Sequence, residues 1–320
     1  MKKRLESKKI ILVTGGCGFI GSHFIEKCLE NGHKVINIDK LTYASNTDIK
    51  FKGDYSFINE DISEIKDIPN CDLIVNFAAE SHVDNSINES INFIKSNIMG
   101  VYNILEIIKN KKMKSMLNAQ KYSMPIFFQI STDEVFGDIE EGSFLEEDRH
   151  LASNPYSATK SAAEQLVFAW ARTYDIPFLI SRTTNNYGPR QHKEKLIPSA
   201  ITKLLKEEKV EIHGTGSHVR NWIHVKDNVD ALYSIINDGE LNNVYHIASS
   251  EEYSVNEIVR IICNHMNKDF EKLTKNVLDR SGADKRYALN IEKISKLGWK
   301  QNLTFENSIK DIILSYKERK

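Results

Sequence analysis

The chain has 320 residues, with 43 basic against 44 acidic side chains and a formal charge of −1. That balance argues against a bulk electrostatic grip on nucleic acid or on an anionic membrane surface. No apolar run approaches the roughly 18–20 residues a membrane helix needs. At 41% hydrophobic and 27% charged residues, the composition is that of a folded globular protein. The charged opening Met1–Glu6 leads straight into an apolar strand, which predicts no signal peptide. Cys17, Cys28, Cys71 and Cys263 show neither metal spacing nor a dense disulfide framework, so a cytoplasmic setting and no metal site are expected.

Lys9–Thr14 is a continuous apolar run of the kind buried on both faces of a parallel sheet. Phe19–Asn31 then carries Phe19, Ile20, Phe24, Ile25 and Leu29 near helical spacing and stops at Asn31-Gly32. Lys34–Asp39, Tyr55–Asn59, Leu73–Phe77 and Ile126–Ser131 read as further strands, with a long amphipathic helix near Asn88–Asn110 before the last. Lys109–Lys121 reads as a lysine-rich, solvated connector. Ser157–Tyr174 is helical in pattern and Phe178–Arg182 is another strand. This alternation predicts an α/β fold with a Rossmann-type doubly wound parallel sheet. Past about residue 186 the rhythm becomes irregular, which predicts a smaller mixed C-terminal substrate domain over 186–320. Strands from about 222–247 (Trp222–Val225 and Val244–Ile247) are expected to add to the sheet of the first domain, 1–185.

Gly15, Gly18 and Gly21 lie between the first strand and the first helix, in a G-x-x-G-x-x-G pattern. Glycines there permit a tight turn and close approach of the backbone to a pyrophosphate seated on the helix N-terminus. Asp39 ends the next strand, 24 residues after Gly15. A carboxylate at that place accepts from ribose hydroxyls and repels a 2′-phosphate, which predicts NAD rather than NADP. Lys40, next in the chain, weakens that preference.

Tyr156 and Lys160 stand at i and i+4 on a helix beginning just after Pro155. A lysine one turn from a phenol lowers its pKa and makes it a base. The same spacing also arises from an exposed lysine beside a half-buried tyrosine. Thr132, Asp133 and Glu134 follow the strand Ile126–Ser131, at the end where such sheets collect their chemistry. Two adjacent carboxyls there serve equally as a helix cap or a solvated turn. Facing the tyrosine and lysine, they become an acid and a base for one substrate, if their environments differ. Among the histidines, His82 beside Ser81 is a candidate for the site floor, while His33, His213 and His246 read as structural or surface residues.

These residues resemble a known family, the extended short-chain dehydrogenase/reductases, and within it the nucleotide-sugar 4,6-dehydratases acting on dTDP-glucose or UDP-glucose. The resemblance runs through G-G-C-G-F-I-G-S (15–22), D-K-L-T-Y-A (39–44), A-A-E-S-H-V-D (78–84) and S-T-D-E-V-F-G-D (131–138). It continues in N-P-Y-S-A-T-K (154–160), N-N-Y-G-P (185–189), E-K-L-I-P (194–198), H-V-R-N-W (218–222) and D-K-R-Y-A-L (284–289). The Thr-Asp-Glu triplet argues against the alternatives on the same fold, a sugar 4-epimerase or a plain reductase. A non-catalytic binding protein would be expected to lack Tyr156, Lys160 or the acid pair.

The resemblance implies a lyase of the hydro-lyase class, converting a nucleoside-diphosphoglucose to its 4-keto-6-deoxy derivative on the way to deoxysugars such as rhamnose. By it, Tyr156 deprotonates the 4-hydroxyl, Lys160 tunes Tyr156, and Thr132 hydrogen-bonds the 4-oxygen. Glu134 is the C5 base and Asp133 the acid for the departing 6-hydroxyl. It places NAD against Gly15, Gly18, Phe19, Ile20, Gly21, Asp39, Lys40, Thr42, Asp61, Ile62, Ala78, Ala79, Ser81, Asn97, Tyr156 and Lys160. Substrate falls to Ser81, His82, Thr132, Asn185, Asn186, Lys195, Leu196, Arg220, Arg286 and Tyr287, with Lys195 and Arg220 on the diphosphate. A homodimer, built by pairing helices Asn88–Asn110 and Ser157–Tyr174 as a four-helix bundle, is implied as well. Asn85 stands where bacterial dTDP-glucose enzymes carry arginine, Phe136 where tyrosine is frequent, and Arg190–Lys193 is unusually basic. The first departure leaves the base, thymine or uracil, open.

Overall fold

In the computed structural model, which describes residues 3–119, 121–279, 282 and 284–317, the apolar runs of the first half line up as parallel strands. They are β1 (Ile10–Thr14), β2 (Lys34–Ile38), β3 (Tyr55–Ile58), β4 (Leu73–Asn76), β5 (Ile126–Thr132) and β6 (Phe178–Thr183). Their spatial order is β6-β5-β4-β1-β2-β3. The order reverses between β1 and β4, so a crevice opens beyond their carboxyl ends.

Strand pleat sends alternate side chains to opposite layers. Ile11 and Val13 of β1 pack with Phe24, Ile25 and Cys28 of α1 (Phe19–Glu30). Leu12, between them, packs on the other face. There the partners are Ile104, Leu105 and Ile108 of α4 (Gly100–Leu117) and Ala163 and Val167 of α5 (Pro155–Tyr174). Each fully buried side chain of this size stabilises the fold by roughly 1.5–3 kcal/mol relative to exposure.

Two expectations are corrected between β4 and β5. No single helix runs over Asn88–Asn110. α2 (Val83–Asn88) ends at Glu89, whose backbone is extended, and the chain restarts as α3 (Ile91–Phe93). A π-helical turn over Ile94–Met99 then leads into α4. The segment Lys109–Lys121 is helical as far as Leu117, because its lysines have anchors. Lys109 pairs with Glu106 at 2.6 Å, Lys111 with Asp67 at 3.0 Å, and Lys112 donates to the Tyr174 carbonyl at 2.7 Å. Gln120 of that segment lies outside the described residues.

Beyond β6, β7 (Asn185–Tyr187) and β9 (Val219–His224) pair parallel, and β11 (Glu252–Ser254) adds antiparallel to β9. β8 (Val210–His213) pairs with β12 (Thr274–Val277). Against them pack α6 (Leu196–Leu205), α8 (Val255–Met266) and α11 (Phe305–Lys317), around a separate core of Tyr187, Ile201, Ile262, Phe305 and Ile309. Val244–Ile247 does join the main sheet, within β10 (Asn243–Ile247) parallel to β6. Trp222–Val225 does not. Trp222 belongs to β9 and the smaller core, and Val225 begins α7 (Val225–Asp238), which returns to cover the main sheet beside α1. α9 (Phe270–Leu273) and α10 (Glu292–Ser295) are short, and Ile294 of α10 also packs on the main core.

Candidate active site

At the end of β1 the chain must turn sharply beneath β4, and only glycine fits. Gly15 has φ of +70°, and a Cβ there would lie 2.6 Å from the Ala78 Cα. A Cβ on Gly21 would meet the Gly15 carbonyl oxygen at 2.5 Å. The tight turn brings the N-terminus of α1 to the crevice, where main-chain N–H groups and the helix dipole favour an anion. Asp39, just past β2, is buried and accepts from the N–H of Cys17 at 2.9 Å and of Leu41 at 2.8 Å. It therefore ties the glycine turn to the loop after β2. Lys40 Nζ donates to Ser96 Oγ at 2.8 Å and lies 3.5 Å from Asp61 and 3.7 Å from Glu80.

The second half of the crevice is built by β5 and α5. Asn154 caps α5, accepting the Ser157 N–H at 2.9 Å, with Pro155 in the first turn. The helix thus begins at Pro155 itself, which adds Pro155 and Tyr156 to the helical pattern of Ser157–Tyr174. The cap presents Tyr156 and Lys160, both buried, toward the end of β5. Thr132 Oγ1 donates to Asp133 Oδ1 at 3.1 Å and accepts the Glu134 N–H at 3.3 Å. Asn154 Nδ2 donates to Glu134 Oε2 at 3.3 Å. Among the described residues, Asp133 Oδ2 and Asn186 Oδ1 are buried with no hydrogen-bond partner.

Burial and the neighbouring Glu134 push the Asp133 carboxyl up to about 8, so it keeps its proton near neutrality. Burial also raises Glu134, against the pull of the Asn154 amide, Arg220 and Lys195. The two carboxyls thus differ in environment, as an acid and a base on one substrate require. The expectation for Tyr156 is corrected. Burial and then Glu134 hold its phenol above the ordinary range, opposed by a hydrogen bond with Thr132. The Lys160 amine, pulled down to about 8 by burial, donates to the Ile130 carbonyl at 2.5 Å. The amine that was to lower the phenol donates to the strand carbonyl, and burial weakens its own hold on a proton.

One cavity of about 690 Å³ contains Gly15, Gly18, Phe19, Ile20, Gly21, Asp39, Lys40, Thr42, Asp61, Ile62, Ala78, Ala79 and Ser81 on the side of the glycine turn. The same cavity is lined by Thr132, Asp133, Glu134, Tyr156, Lys160, His82, Asn185, Asn186, Lys195, Leu196, Arg220 and Tyr287. Two expected contacts stand apart. Asn97 is buried behind the wall, donating to the Glu80 carbonyl and to Thr159 at 3.0 and 2.9 Å, because the π-helical turn rotates it inward. Arg286 is held by Glu252 at 2.8 and 3.0 Å and donates to the Gly142 carbonyl, beside an adjacent shallow pocket. Arg220 does face the cavity, but donates to the carbonyls of Val219 and Asp284 and lies over the Tyr287 ring.

Several cavity residues escaped the sequence reading. Asn154 entered only as the first residue of the N-P-Y-S-A-T-K motif, with no role of its own. Lys203, Glu211, His213 and His218 form the outer end, and His213 is therefore a cavity residue rather than a bystander. No local motif marks Lys203, Glu211 or His213, whereas His218 opens the H-V-R-N-W segment without having been singled out. Among the described residues, no three His, Cys, Asp or Glu side chains form a group able to hold a metal ion.

A family profile described as GDP-mannose 4,6 dehydratase matches residues 12–312. The chain belongs to this family, among the extended short-chain dehydrogenase/reductases. It is similar to the dTDP-glucose 4,6-dehydratase of Haemophilus influenzae, 39% identical over 331 residues, covering 96% of this chain and 97% of that one. It is also similar to the low-salt glycan biosynthesis protein Agl12 of Haloferax volcanii, at 40% identity over 316 residues, with 96% and 98% covered. Among solved structures, the dTDP-glucose 4,6-dehydratase DesIV of Streptomyces venezuelae, described with NAD bound, superposes with a TM-score of 0.89. That pair is 32% identical, with 97% of each chain covered.

Proposed function

We propose that the protein is an NAD-dependent nucleoside-diphosphoglucose 4,6-dehydratase, removing water from a dTDP- or UDP-linked glucose to leave the 4-keto-6-deoxy sugar. The observation that carries this reading is the joining of Thr132, Asp133 and Glu134 with Tyr156 and Lys160 in one cavity, continuous with the glycine turn. The family relationship supports the same reading. A dehydration across neighbouring carbons needs a base for one and an acid for the other. The acid pair at the strand end supplies both.

The residues present fit NAD: the turn at Gly15 leaves no space for a side chain, and the carboxylate of Asp39 stands at the end of β2. Gly15, Gly18, Phe19, Ile20 and Gly21 would hold the pyrophosphate, Asp39 with Lys40 and Thr42 the adenosine ribose, and Asp61 and Ile62 the adenine. Ala78, Ala79, Ser81 and Lys160 would complete the cradle. When bound there, NAD would supply a positive charge to the cleft and the reversible hydride-transfer chemistry that the reaction needs at C4 and C6.

Tyr156 would take the proton of the 4-hydroxyl once the positive charge of bound NAD has drawn its phenol down from the raised range that burial sets, while Thr132 steadies the oxygen. Once C4 is a ketone, the C5 hydrogen is acidic, and Glu134 removes it. Asp133, still protonated near neutrality, delivers its proton to the departing 6-hydroxyl, which leaves as water. Lys195 and Arg220 place positive charge where the diphosphate would lie. Asn185 and Asn186 stand nearer the sugar, and His82 and Leu196 border it.

The assembly belongs to the same reading: a homodimer pairing α4 and α5 with their copies. Ile91, Met99, Tyr102 and Met113 are large apolar side chains left exposed along this layer, the kind of face that a symmetric partner covers. Incubating the purified protein with NAD and either dTDP-glucose or UDP-glucose tests the function. The expected product is lighter by one water, and the faster substrate identifies the base. A product of unchanged mass would replace the reading with an epimerase.

A further inference from the structure

We propose that Asn154 positions the Glu134 carboxylate, a role separate from its capping of the helix that carries Tyr156 and Lys160. The inference deepens the function proposed above and rests on it in taking Glu134 as the C5 base. Asn154 is 8% exposed and lies between the two segments that carry the chemistry. Its Oδ1 accepts the Ser157 N–H at 2.9 Å, while Nδ2 donates to Glu134 Oε2 at 3.3 Å. The helix start is already doubly secured, since Ser157 Oγ reaches back to the Asn154 N–H at 3.2 Å. One side chain thus clamps the end of β5 to the start of α5 through opposite ends of its amide.

Capping alone does not require asparagine. Serine, threonine and aspartate cap helices about as well. An aspartate carries no donor when ionised, and a serine hydroxyl is too short to reach both the cap and the carboxylate. Asparagine combines the acceptor that the helix needs with a donor for Glu134. A base must sit within hydrogen-bond reach of the group whose proton it removes, about 2.6–3.2 Å between heavy atoms, and a carboxylate on a long, flexible side chain needs a neighbour to hold it there.

The charged and titratable groups facing Glu134 are Asp133 beside it, Arg220 from β9, Lys195 at the start of α6, Asp284, and the phenols of Tyr156 and Tyr287. Arg220 is anchored on the Val219 and Asp284 carbonyls, and Lys195 donates to the Ser81 carbonyl at 2.9 Å. Their charges act across the cleft, whereas the Asn154 amide touches an oxygen of the base. A donor to the ionised form keeps a carboxylate ionised to lower pH. Removing it moves the Glu134 titration upward.

The test uses Asn154→Ser and Asn154→Asp, both of which retain a capping side chain. The positioning role predicts a thermal midpoint close to wild type in the serine variant, and NADH absorbance still appearing in both on mixing with dTDP-glucose. Dehydrated product should fall about tenfold or more in the serine variant, a fraction of the value of a positioned base. The acid limb of its pH–rate profile should move to higher pH. The aspartate variant should fall further, because two carboxylates then face each other. Titration of ¹³C-labelled glutamate by NMR, with the Glu134 signal identified by its absence in Glu134→Gln, should show the same upward move without substrate. A serine variant with the wild-type acid limb and the wild-type Glu134 titration overturns the proposal, as does a loss of rate that only follows a lowered thermal midpoint. If wild type dehydrates no nucleoside-diphosphoglucose, the proposed function fails. The NMR titration then still decides whether Asn154 holds Glu134.

Discussion

The hydroxyl of Thr132 donates to Asp133 Oδ1 at 3.1 Å, and Thr132 Oγ1 in turn accepts the Glu134 N–H at 3.3 Å. One threonine therefore anchors both carboxyl-bearing residues to the last position of β5, where the three-residue turn Asp133–Val135 begins. The turn separates their fates. Asp133 is folded inward, with Oδ2 buried and unpartnered among the described residues, while Glu134 reaches toward the Asn154 amide. Neighbours in the chain with unlike surroundings are how one strand end can hold a proton donor and a proton acceptor together.

That difference sets a pH dependence. Activity should decline as pH rises through about 8, where Asp133 loses its proton, and decline again in acid as Glu134 gains one. Stability follows with a definite sign. An ordinary aspartate ionises near 3.8, but this one keeps its proton to about 8. Between those values the folded chain binds more protons than the unfolded chain, so stability falls as pH rises across that window. Asp133→Asn removes the buried charge, and its thermal midpoint should gain more over wild type at pH 8 than at pH 5. A variant that melts below wild type by the same margin at both pH values would contradict this account of Asp133.

How much of this was legible in the chain depends on how local each signal is. Ile10–Thr14 and Leu73–Asn76 are buried on both faces, and continuous apolar runs announce such strands. The glycines, Asp39, Tyr156 and Lys160 lie in short spacings whose geometry a strand–helix unit fixes. Trp222–Val225 reads locally as a main-sheet strand, yet Trp222–His224 pairs with Asn185–Tyr187 in the small sheet and Val225 begins α7, outcomes set by a partner far away in sequence. Asn97 is a polar residue in a helical stretch, and its burial depends on a π-helical turn that no composition reveals. Arg286 belongs to the late segment that the resemblance gives to substrate contact, but Glu252, 34 residues earlier, holds its guanidinium. Lys160 was correctly spaced from Tyr156 yet donates to Ile130, because burial of an amine demands an acceptor and the strand carbonyl provides one.

The cofactor site makes a second prediction. Asp39 holds the N–H groups of Cys17 and Leu41 and faces the cavity, so Asp39→Ala should weaken both the turn and the binding of NAD. Hydrogen bonds to a charged group are worth about 1.5–3 kcal/mol each, which corresponds to roughly tenfold or more in affinity. Lys40 does not redirect the preference toward NADP, since Ser96, Asp61 and Glu80 already surround its amine. Calorimetric titration should find NAD binding far tighter than NADP. Equal affinity for the two would remove Asp39 from the ribose site.

A third prediction concerns the exposed apolar layer on α3, the π-helical turn and α4. Ile91 is 61% exposed and Met99 is 45% exposed. Lysine at both positions would place charge in a two-fold interface, where each substitution appears twice. Sedimentation should find wild type as a dimer at micromolar concentration and the Ile91→Lys, Met99→Lys protein as a folded monomer. A wild-type monomer would remove the proposed assembly.

The fourth prediction separates the two carboxyls from the tyrosine. Glu134 and Asp133 act only after C4 has become a ketone, because the C5 hydrogen is not acidic before that. Glu134→Gln and Asp133→Asn should therefore still generate NADH absorbance on mixing with substrate. Dehydrated product should fall by roughly 10²–10⁴-fold in each, the usual value of a positioned acid or base. Tyr156→Phe removes the group that takes the 4-hydroxyl proton, and it should give no NADH at all. Exchange of the C5 hydrogen with solvent deuterium divides the pair further. Glu134→Gln should suppress it, since an amide removes no proton. In Asp133→Asn, exchange persists if the C5 carbanion forms before the hydroxyl leaves, and disappears if the two events are one step. A Glu134→Gln protein that dehydrates at the wild-type rate would end the assignment of Glu134 as the base.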